Sequence, residues 1–374
     1  MQQSRQAGQR RDGLVAKIQQ GMESLKEKDI DAAFNIFSDV LEQNPKIAIA
    51  HVGLGRVFAH EGDHQKALEH FEEALSINPD FAPALLLSAQ SREKLGETDE
   101  ALAQYEEAIQ MDPTAGHAQL RLSRLLEKQK RPEDAISYML DAIQRAPQDT
   151  SLRLMLAGLY ERTGDFDKAE AELRRAVEIS PKQGTAQYKL GKALLRKEDF
   201  AGARAALEIA AANGADKPKV YYALGAAHSG LGDYAKAASA FDEAHRLSPR
   251  MIRAAIDAAH ARMKLGKHDA ALSELHALAK GRRNIASVQK AIADVYFDMG
   301  RNSDAIEYYR AAVLNHHSED ERPAELTALL NAPVKDEAET AAKFAAALSR
   351  DDFVRENPGA VREKLGARFR RARG

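Results

Sequence analysis

The stretch VGLGRVFAHEGDHQKALEHFEEALSINP, residues 52–79, decides the fold. It contains two runs of helix-forming residues, separated by Gly62-Asp63 and closed by Pro79. Glycine accepts the left-handed turn that ends a helix, aspartate can cap the next helix, and proline cannot continue one. The stretch therefore predicts two helices joined by a tight turn.

The same arrangement recurs every 34 residues along most of the chain. The position of Pro79 and its equivalents in the other copies, here called the mark, serves as the reference point of each period. Proline stands at the mark five times in succession, at Pro45, Pro79, Pro113, Pro147 and Pro181. Alanine stands twelve residues before every mark, at Ala33, Ala67, Ala101, Ala135, Ala169, Ala203, Ala237, Ala271 and Ala305. A large residue stands eight before it, at Phe37, Phe71, Tyr105, Met139, Leu173, Leu207, Phe241, Leu275 and Tyr309. Such agreement across nine copies predicts a tandem array of helix pairs, with small residues where helices cross.

This pattern resembles the tetratricopeptide repeat, whose signature is Leu-Gly, Tyr, Gly, Ala, Phe, Ala and Pro at set offsets. The resemblance implies an all-α fold in which helix pairs stack into a superhelical solenoid. We place nine repeats in residues 14–319, after a flexible segment 1–13 and before a helical cap and basic tail in 320–374. Helices are predicted in that last part near 324–331, 336–349 and 360–371. The broken junction 213–218, Asn-Gly-Ala-Asp-Lys-Pro, is either a hinge or an ordinary loop.

Composition limits the classes of function. The chain has 54 basic and 56 acidic residues, which argues against a surface that grips nucleic acid throughout. It has no cysteine, so thiolate chemistry and thiolate metal sites are excluded. No apolar run reaches 18 residues and no signal peptide is visible, so we expect a cytoplasmic protein.

One motif suggests metal chemistry. His60-Glu61-Gly62-Asp63-His64 matches H-E-x-x-H, which binds zinc only when both histidines share one face of a continuous helix. Gly62-Asp63 is the predicted turn between helices, so we predict no zinc site there. No other catalytic constellation is visible, and we therefore expect neither an enzyme nor a bound cofactor.

The family resemblance implies a different site, a concave groove lined by the first helix of each repeat, which holds a peptide or a helix. Its lining is apolar in the first three repeats, at Val15, Ile18, Met22, Leu25, Ile49, Val52, Pro83, Leu86 and Leu87. The candidate site residues follow in the next repeats: Arg121, Arg124, Lys128, Leu154, Arg162, Tyr188, Lys189, Lys192, Arg196 and Tyr222. This lining favours an acidic, partly apolar segment of a protein partner. The alternative is a solvated basic face, partly offset by Glu127 and Glu161.

The sequence thus predicts a non-enzymatic scaffold or adaptor that binds proteins. There are two alternatives, an RNA-binding helical-repeat protein and the targeting arm of an enzyme complex. The near-neutral net charge argues against binding of nucleic acid. The tail from Arg362 holds six basic residues and one acid, with Val361, Leu365 and Phe369 on one helical face. This tail is either a weak contact for an anionic membrane or acidic partner, or a solubilising end.

Overall fold

The computed structural model of the chain describes residues 2–112, 116–281, 286–316 and 322–350. Within these ranges every regular element is a helix, and there are twenty of them. The chain divides into two compact units, residues 1–181 and 182–374, here called unit 1 and unit 2 and described separately. The nine helix pairs predicted from the repeat are α1 to α18, and two further helices follow.

The helices of unit 1 are α1 Gln2–Glu27, α2 Ile30–Gln43, α3 Ala48–Glu61, α4 His64–Ile77, α5 Ala82–Leu95, α6 Thr98–Met111, α7 Gly116–Lys128, α8 Pro132–Arg145, α9 Thr150–Thr163 and α10 Phe166–Ile179. The helices of unit 2 are α11 Gly184–Arg196, α12 Phe200–Ala212, α13 Lys217–Gly230, α14 Tyr234–Leu247, α15 Ile252–Lys264, α16 His268–Gly281, α17 Ala286–Asp298, α18 Asn302–His316, α19 Ala324–Asn331 and α20 Glu337–Arg350. Because α1 begins at Gln2, residues 2–13 are helical, and the flexibility predicted for the segment 1–13 stays a prediction.

Every helix pair turns at the same repeat position, the fifteenth when repeats are counted from residues 14, 48, 82 and onward. The backbone is left-handed there in all nine repeats, and glycine occupies the position in six of them. The other three have Lys28, Lys130 and Glu198, with φ between 60° and 63°. A residue with a side chain costs about 1–2 kcal/mol in this conformation. The packing of the two helices therefore imposes the turn even where glycine is missing.

Aspartate often follows this turn and starts the second helix. Asp63 accepts a hydrogen bond from the backbone N–H of Lys66, and Asp233 accepts one from that of Lys236. These bonds satisfy a helical N–H that would otherwise have no partner, and a cap of this kind contributes about 1 kcal/mol.

The large residue that recurs in each second helix is buried in every repeat. From Phe37 to Tyr309, these nine side chains are at most 5% exposed, and the recurring alanines are at most 1% exposed. The ring or branched side chain fills the space beside the crossing, where the small residues let the helices approach. The prediction made from the repeat is confirmed at both positions.

Two glycines in first helices show how close this packing is. A Cβ built on Gly55 of α3 would lie 2.4 Å from the Phe71 ring, whereas one built on Gly158 of α9 meets nothing nearer than 3.5 Å. Phe71 is fully buried and cannot move aside.

We expect Gly55→Ala to destabilise the protein by about 1–3 kcal/mol, because the methyl group overpacks against Phe71. Gly158→Ala should instead stabilise it by roughly 0.5–1 kcal/mol, because alanine is the better helix former and has room. Urea denaturation followed by circular dichroism measures both. Equal effects of the two changes would contradict the close contact at Gly55.

The broken junction in unit 2 is packed rather than loose. Ala215 is 8% exposed, and the Asn213 side-chain amide donates a 2.8 Å hydrogen bond to the Ile209 carbonyl. A Cβ on Gly184, the first residue of α11, would lie 2.3 Å from the Asn213 carbonyl oxygen. The absence of a side chain at Gly184 lets the loop close onto α11. This packing favours the ordinary loop over the hinge.

The helices predicted near 324–331 and 336–349 are confirmed as α19 and α20. They cover the end of the last repeat, where the Phe344 ring stacks on Tyr309 with 6.2 Å between ring centroids. The outer side of α20 is polar and carries the Lys343–Glu339 ion pair. This packing is what a polar-faced cap of a repeat array requires, and the capping role of α19 and α20 stays a prediction. The helix predicted near 360–371 lies outside the described residues.

First helices of neighbouring repeats contact one another, as α1–α3, α3–α5 and α7–α9 do in unit 1 and α11–α13 and α15–α17 do in unit 2. The side of these first helices that points away from the second helices is called the first-helix face of each unit. The candidate site residues belong to helices α7, α9, α11 and α13 of these faces. Of the helices described, none has the length and apolar composition that crossing a membrane requires.

Candidate functional site on the first-helix faces

The candidate residues divide between the two units. Unit 1 carries Arg121, Arg124, Lys128, Leu154 and Arg162, and unit 2 carries Tyr188, Lys189, Lys192, Arg196 and Tyr222. Most of these side chains are exposed or half-buried. Leu154 differs, because only 9% of it is exposed, so it offers little area to a partner.

Glu93 of α5 gathers two of the predicted cations in unit 1. Lys128 Nζ lies 2.9 Å from one carboxylate oxygen, and Arg121 Nη1 lies 3.7 Å from the other. Only 16% of the Glu93 side chain is exposed, against 68% of Lys128. Burial alone would raise the pKa of Glu93, but the hydrogen bond and charge of Lys128, with a hydrogen bond from Tyr105, hold it below its ordinary value. Glu93 is therefore ionised and bound to both cations at neutral pH.

Glu127 of α7 repeats this arrangement one repeat later. Its carboxylate accepts a 2.5 Å hydrogen bond from Arg162 Nε of α9. Glu93 and Lys128 are 35 residues apart, as are Glu127 and Arg162, so both pairs join the twelfth position of one repeat to the thirteenth of the next. Three of the predicted cations in unit 1 are thus already neutralised by the protein's own carboxylates.

Three other cations have no such partner. In the part of the chain that the structure describes, no carboxylate forms an ion pair with Arg124 of α7, or with Lys189 and Lys192 of α11. Arg124 and Lys192 are exposed, and Lys189 is half-buried. Their charges are therefore available to an anionic ligand.

Two tyrosines provide aromatic surface in unit 2. Lys192 Nζ lies 6.0 Å from the centroid of the half-buried Tyr188 ring, at the outer limit of a cation–π contact. The Tyr222 hydroxyl donates a 2.7 Å hydrogen bond to Asp257, which also accepts from Arg253 at 2.9 Å. Burial raises the pKa of both tyrosines. Tyr222 is therefore held in place by its own network, and only part of its ring faces outward.

The apolar lining of the first three repeats is uneven. Val15 and Ile49 are exposed by 48% and 37%, but Val52, one turn after Ile49, is 3% exposed and belongs to the core. Ile18, Met22 and Leu25 pack at the edge of the core cluster around Phe37. The apolar surface of unit 1 is thus smaller than the sequence predicts.

The H-E-x-x-H segment is divided as predicted. His60 lies in the last turn of α3, Gly62 has φ of 87°, and His64 is the first residue of α4. The two histidines therefore do not share one face of a continuous helix. Among the described residues, no three His, Asp or Glu side chains converge as a metal site would require.

Sequence reasoning missed the acidic residues that bind the predicted cations. It recognised Glu127 as an interruption but overlooked Glu93. A further acid that it overlooked, Asp294 of α17, pairs with Lys290, which is not among the predicted cations. Asp294 accepts hydrogen bonds from Lys290 and Tyr309, at 2.8 Å each, so its charge is satisfied within the last repeat. For Glu93 and Glu127 the signal was present in the twelfth position of the repeat, where an acid faces a base 35 residues later.

The helix pairs, the recurring turn and the first-helix faces define a tetratricopeptide repeat protein. Sequence profiles of this repeat match residues 188–252, 230–293 and 291–314. A further profile, described as the C-terminal domain of cilia and flagella-associated protein 70, matches residues 1–217. That match covers more than half of the chain, and the chain belongs to this family.

Solved structures of tetratricopeptide repeat proteins are also similar. YrrB, described as having an unusual peptide-binding site, is 22% identical, with 50% of this chain and 96% of YrrB covered and a TM-score of 0.36. PilF of Pseudomonas aeruginosa is 19% identical, with 64% of this chain and 94% of PilF covered and a TM-score of 0.41. Yeast Tom70 is 17% identical, with 89% of this chain and 80% of Tom70 covered and a TM-score of 0.43. No curated protein sequence matches the chain.

Proposed function

We propose that this protein is a non-enzymatic scaffold that binds an acidic, partly apolar segment of a partner protein on its first-helix faces. Repeats of this class are protein-interaction modules, and that broad role follows from the family. The chemistry of the partner is the proposal. The cytoplasmic location expected from the sequence stays a prediction.

One observation carries the proposal: Arg124, Lys189 and Lys192 present charge that no carboxylate of the described residues neutralises. Unpaired cations of this kind attract an acidic partner over a distance and fix its orientation, although each contributes little affinity alone. The half-buried Tyr188 ring lies 6.0 Å from Lys192 Nζ and offers apolar area. On unit 2, a segment that combines acidic and apolar residues matches Lys189, Lys192 and Tyr188.

We expect reversal of all three charges, Arg124→Glu with Lys189→Glu and Lys192→Glu, to abolish capture of partner proteins. Because the three side chains lie outside the core, helicity and thermal unfolding should change little. The measurement is affinity capture from native lysate with quantitative mass spectrometry, at two salt concentrations. Partner capture should weaken with salt in the unmodified protein, because the attraction is electrostatic.

A matched variant controls for net charge. Arg145→Glu, Arg250→Glu and Lys267→Glu reverse three exposed charges outside the first helices. This control should retain its partners. Unaltered capture by the test variant, or equal loss in the control, would show that the first-helix faces do not hold the acidic segment. A steep salt dependence of binding to poly-anionic RNA would favour the nucleic-acid alternative instead.

A further inference from the structure

Two ion pairs of unit 1, Glu93 with Lys128 and Glu127 with Arg162, share one geometry that bears on how a partner would bind. In each, the carboxylate is the more buried member: Glu93 is 16% exposed, and Glu127 is 23% exposed beside Arg162 at 55%. The cations therefore lie toward solvent, while the carboxylates lie beneath them. A ligand approaching this face meets the cations first.

One of these carboxylates, Glu93, is already held from several sides. Glu93 accepts a 3.2 Å hydrogen bond from the Tyr105 hydroxyl in addition to its two cations. It cannot leave the face without losing contacts within its own repeat. A ligand carboxylate must therefore compete with Glu93 for Lys128 and Arg121, and with Glu127 for Arg162.

We propose that Glu93 and Glu127 are built-in competitors that determine which anionic partners unit 1 accepts. They occupy Arg121, Lys128 and Arg162 in place of ligand carboxylates, so a weakly acidic segment gains little there. A segment with several consecutive carboxylates can share the exposed sides of these cations. The inference rests on the proposed function, because it concerns the selectivity of the same face.

This competition predicts that removing the internal carboxylates increases the affinity of unit 1 for an acidic peptide. Removal of an internal carboxylate leaves its cations without a counter-ion, and a ligand then receives their full charge. Because exposed ion pairs are individually weak, the release of three cations should increase affinity for an acidic peptide about three- to tenfold. The increase should disappear at high salt, where charges on the surface are screened.

The experiment uses the full chain with Glu93→Gln and Glu127→Gln together. Glutamine preserves shape and can still accept the Tyr105 hydrogen bond, but it carries no charge. The probe is a fluorescein-labelled peptide of six glutamates, and fluorescence anisotropy measures its dissociation constant. The matched control is Glu69→Gln with Glu107→Gln, which removes two exposed charges from α4 and α6. Thermal unfolding confirms that all proteins are folded.

The inference requires a gain for Glu93→Gln/Glu127→Gln that exceeds the gain of the control at least threefold. Equal gains would mean that only net charge matters, and would overturn the inference while leaving the proposed function standing. No binding by either the unmodified protein or the double variant would overturn it as well. A clear gain, combined with unaltered partner capture by the triple charge reversal, would uphold the inference and reject the proposed function.

Discussion

Phe37→Ala should lower the free energy of unfolding of unit 1 by about 3–5 kcal/mol. The Phe37 ring is fully buried and fills the space between α1 and α3, where Cβ atoms built on Gly21 and Gly53 would lie 2.7 and 2.5 Å from it. Alanine would leave a cavity that neither glycine can fill. The loss combines the transfer free energy of the ring with the cost of that cavity. Hydrogen exchange of the α1–α3 amides, with urea denaturation, measures it.

A second phenylalanine in the same helix gives the control. Phe34 of α2 is 40% exposed and lies in a T-shaped arrangement with Phe58, with 6.0 Å between ring centroids. Phe34→Ala should therefore change the stability by less than about 1 kcal/mol. If both substitutions cost the same, burial would not be what distinguishes the recurring position, and the repeat-based assignment of the core would fail.

The core could be predicted from the sequence because its chemistry repeats. A crossing of two helices needs small residues on one side and a large residue beside them, and a period of 34 places the same need in every copy. The position of Phe71, Tyr105 or Tyr309 then follows from that of Phe37. The helices α19 and α20 lie outside this period and were predicted separately, as helices in the residues that follow the last repeat.

The polar contacts could not be predicted in the same way. Lys128 and Arg162 were recognised as basic residues of a groove, but their partners depend on side-chain conformations that a one-dimensional pattern does not contain. Val52 was misjudged for a related reason. Ile49 and Val52 are one turn apart on α3, yet one faces solvent and the other faces the core, because adjacent helices cover the face unequally.

Departures from the family pattern became intelligible only with the structure. Arg92 and Arg262 both stand at the eleventh position of their repeats, where the tetratricopeptide signature has its tyrosine, and neither indicates a binding site by itself. Arg262 pairs with Asp242 at 2.5 Å, and Arg92 pairs with Glu72 at 2.5 Å. In both cases the acid lies 20 residues earlier, on the second helix of the preceding repeat. An ion pair between repeats has thus replaced the packing of an aromatic ring.

Phe344→Ala, in α20 of unit 2, should lower the free energy of unfolding by about as much as Phe37→Ala does. The loss should affect fewer helices. Phe344 is fully buried, and with Leu348 and Ala341 it covers Tyr309 and Val313 of the last repeat. Removing the ring should cost about 3–5 kcal/mol locally. In an array where each repeat contacts only its neighbours, such a loss at one end weakens the terminal repeat first.

We therefore expect faster hydrogen exchange in α17, α18 and α20 of the Phe344→Ala variant, with exchange in α1–α10 unchanged. Val334→Ala, at a 40% exposed residue between α19 and α20, should leave the whole pattern as it is. Uniformly faster exchange along the chain would mean that the array unfolds as one cooperative body, because a local loss would then be shared by every repeat. Faster exchange confined to α17, α18 and α20 would support the prediction that α19 and α20 cap the array and stabilise its last repeat.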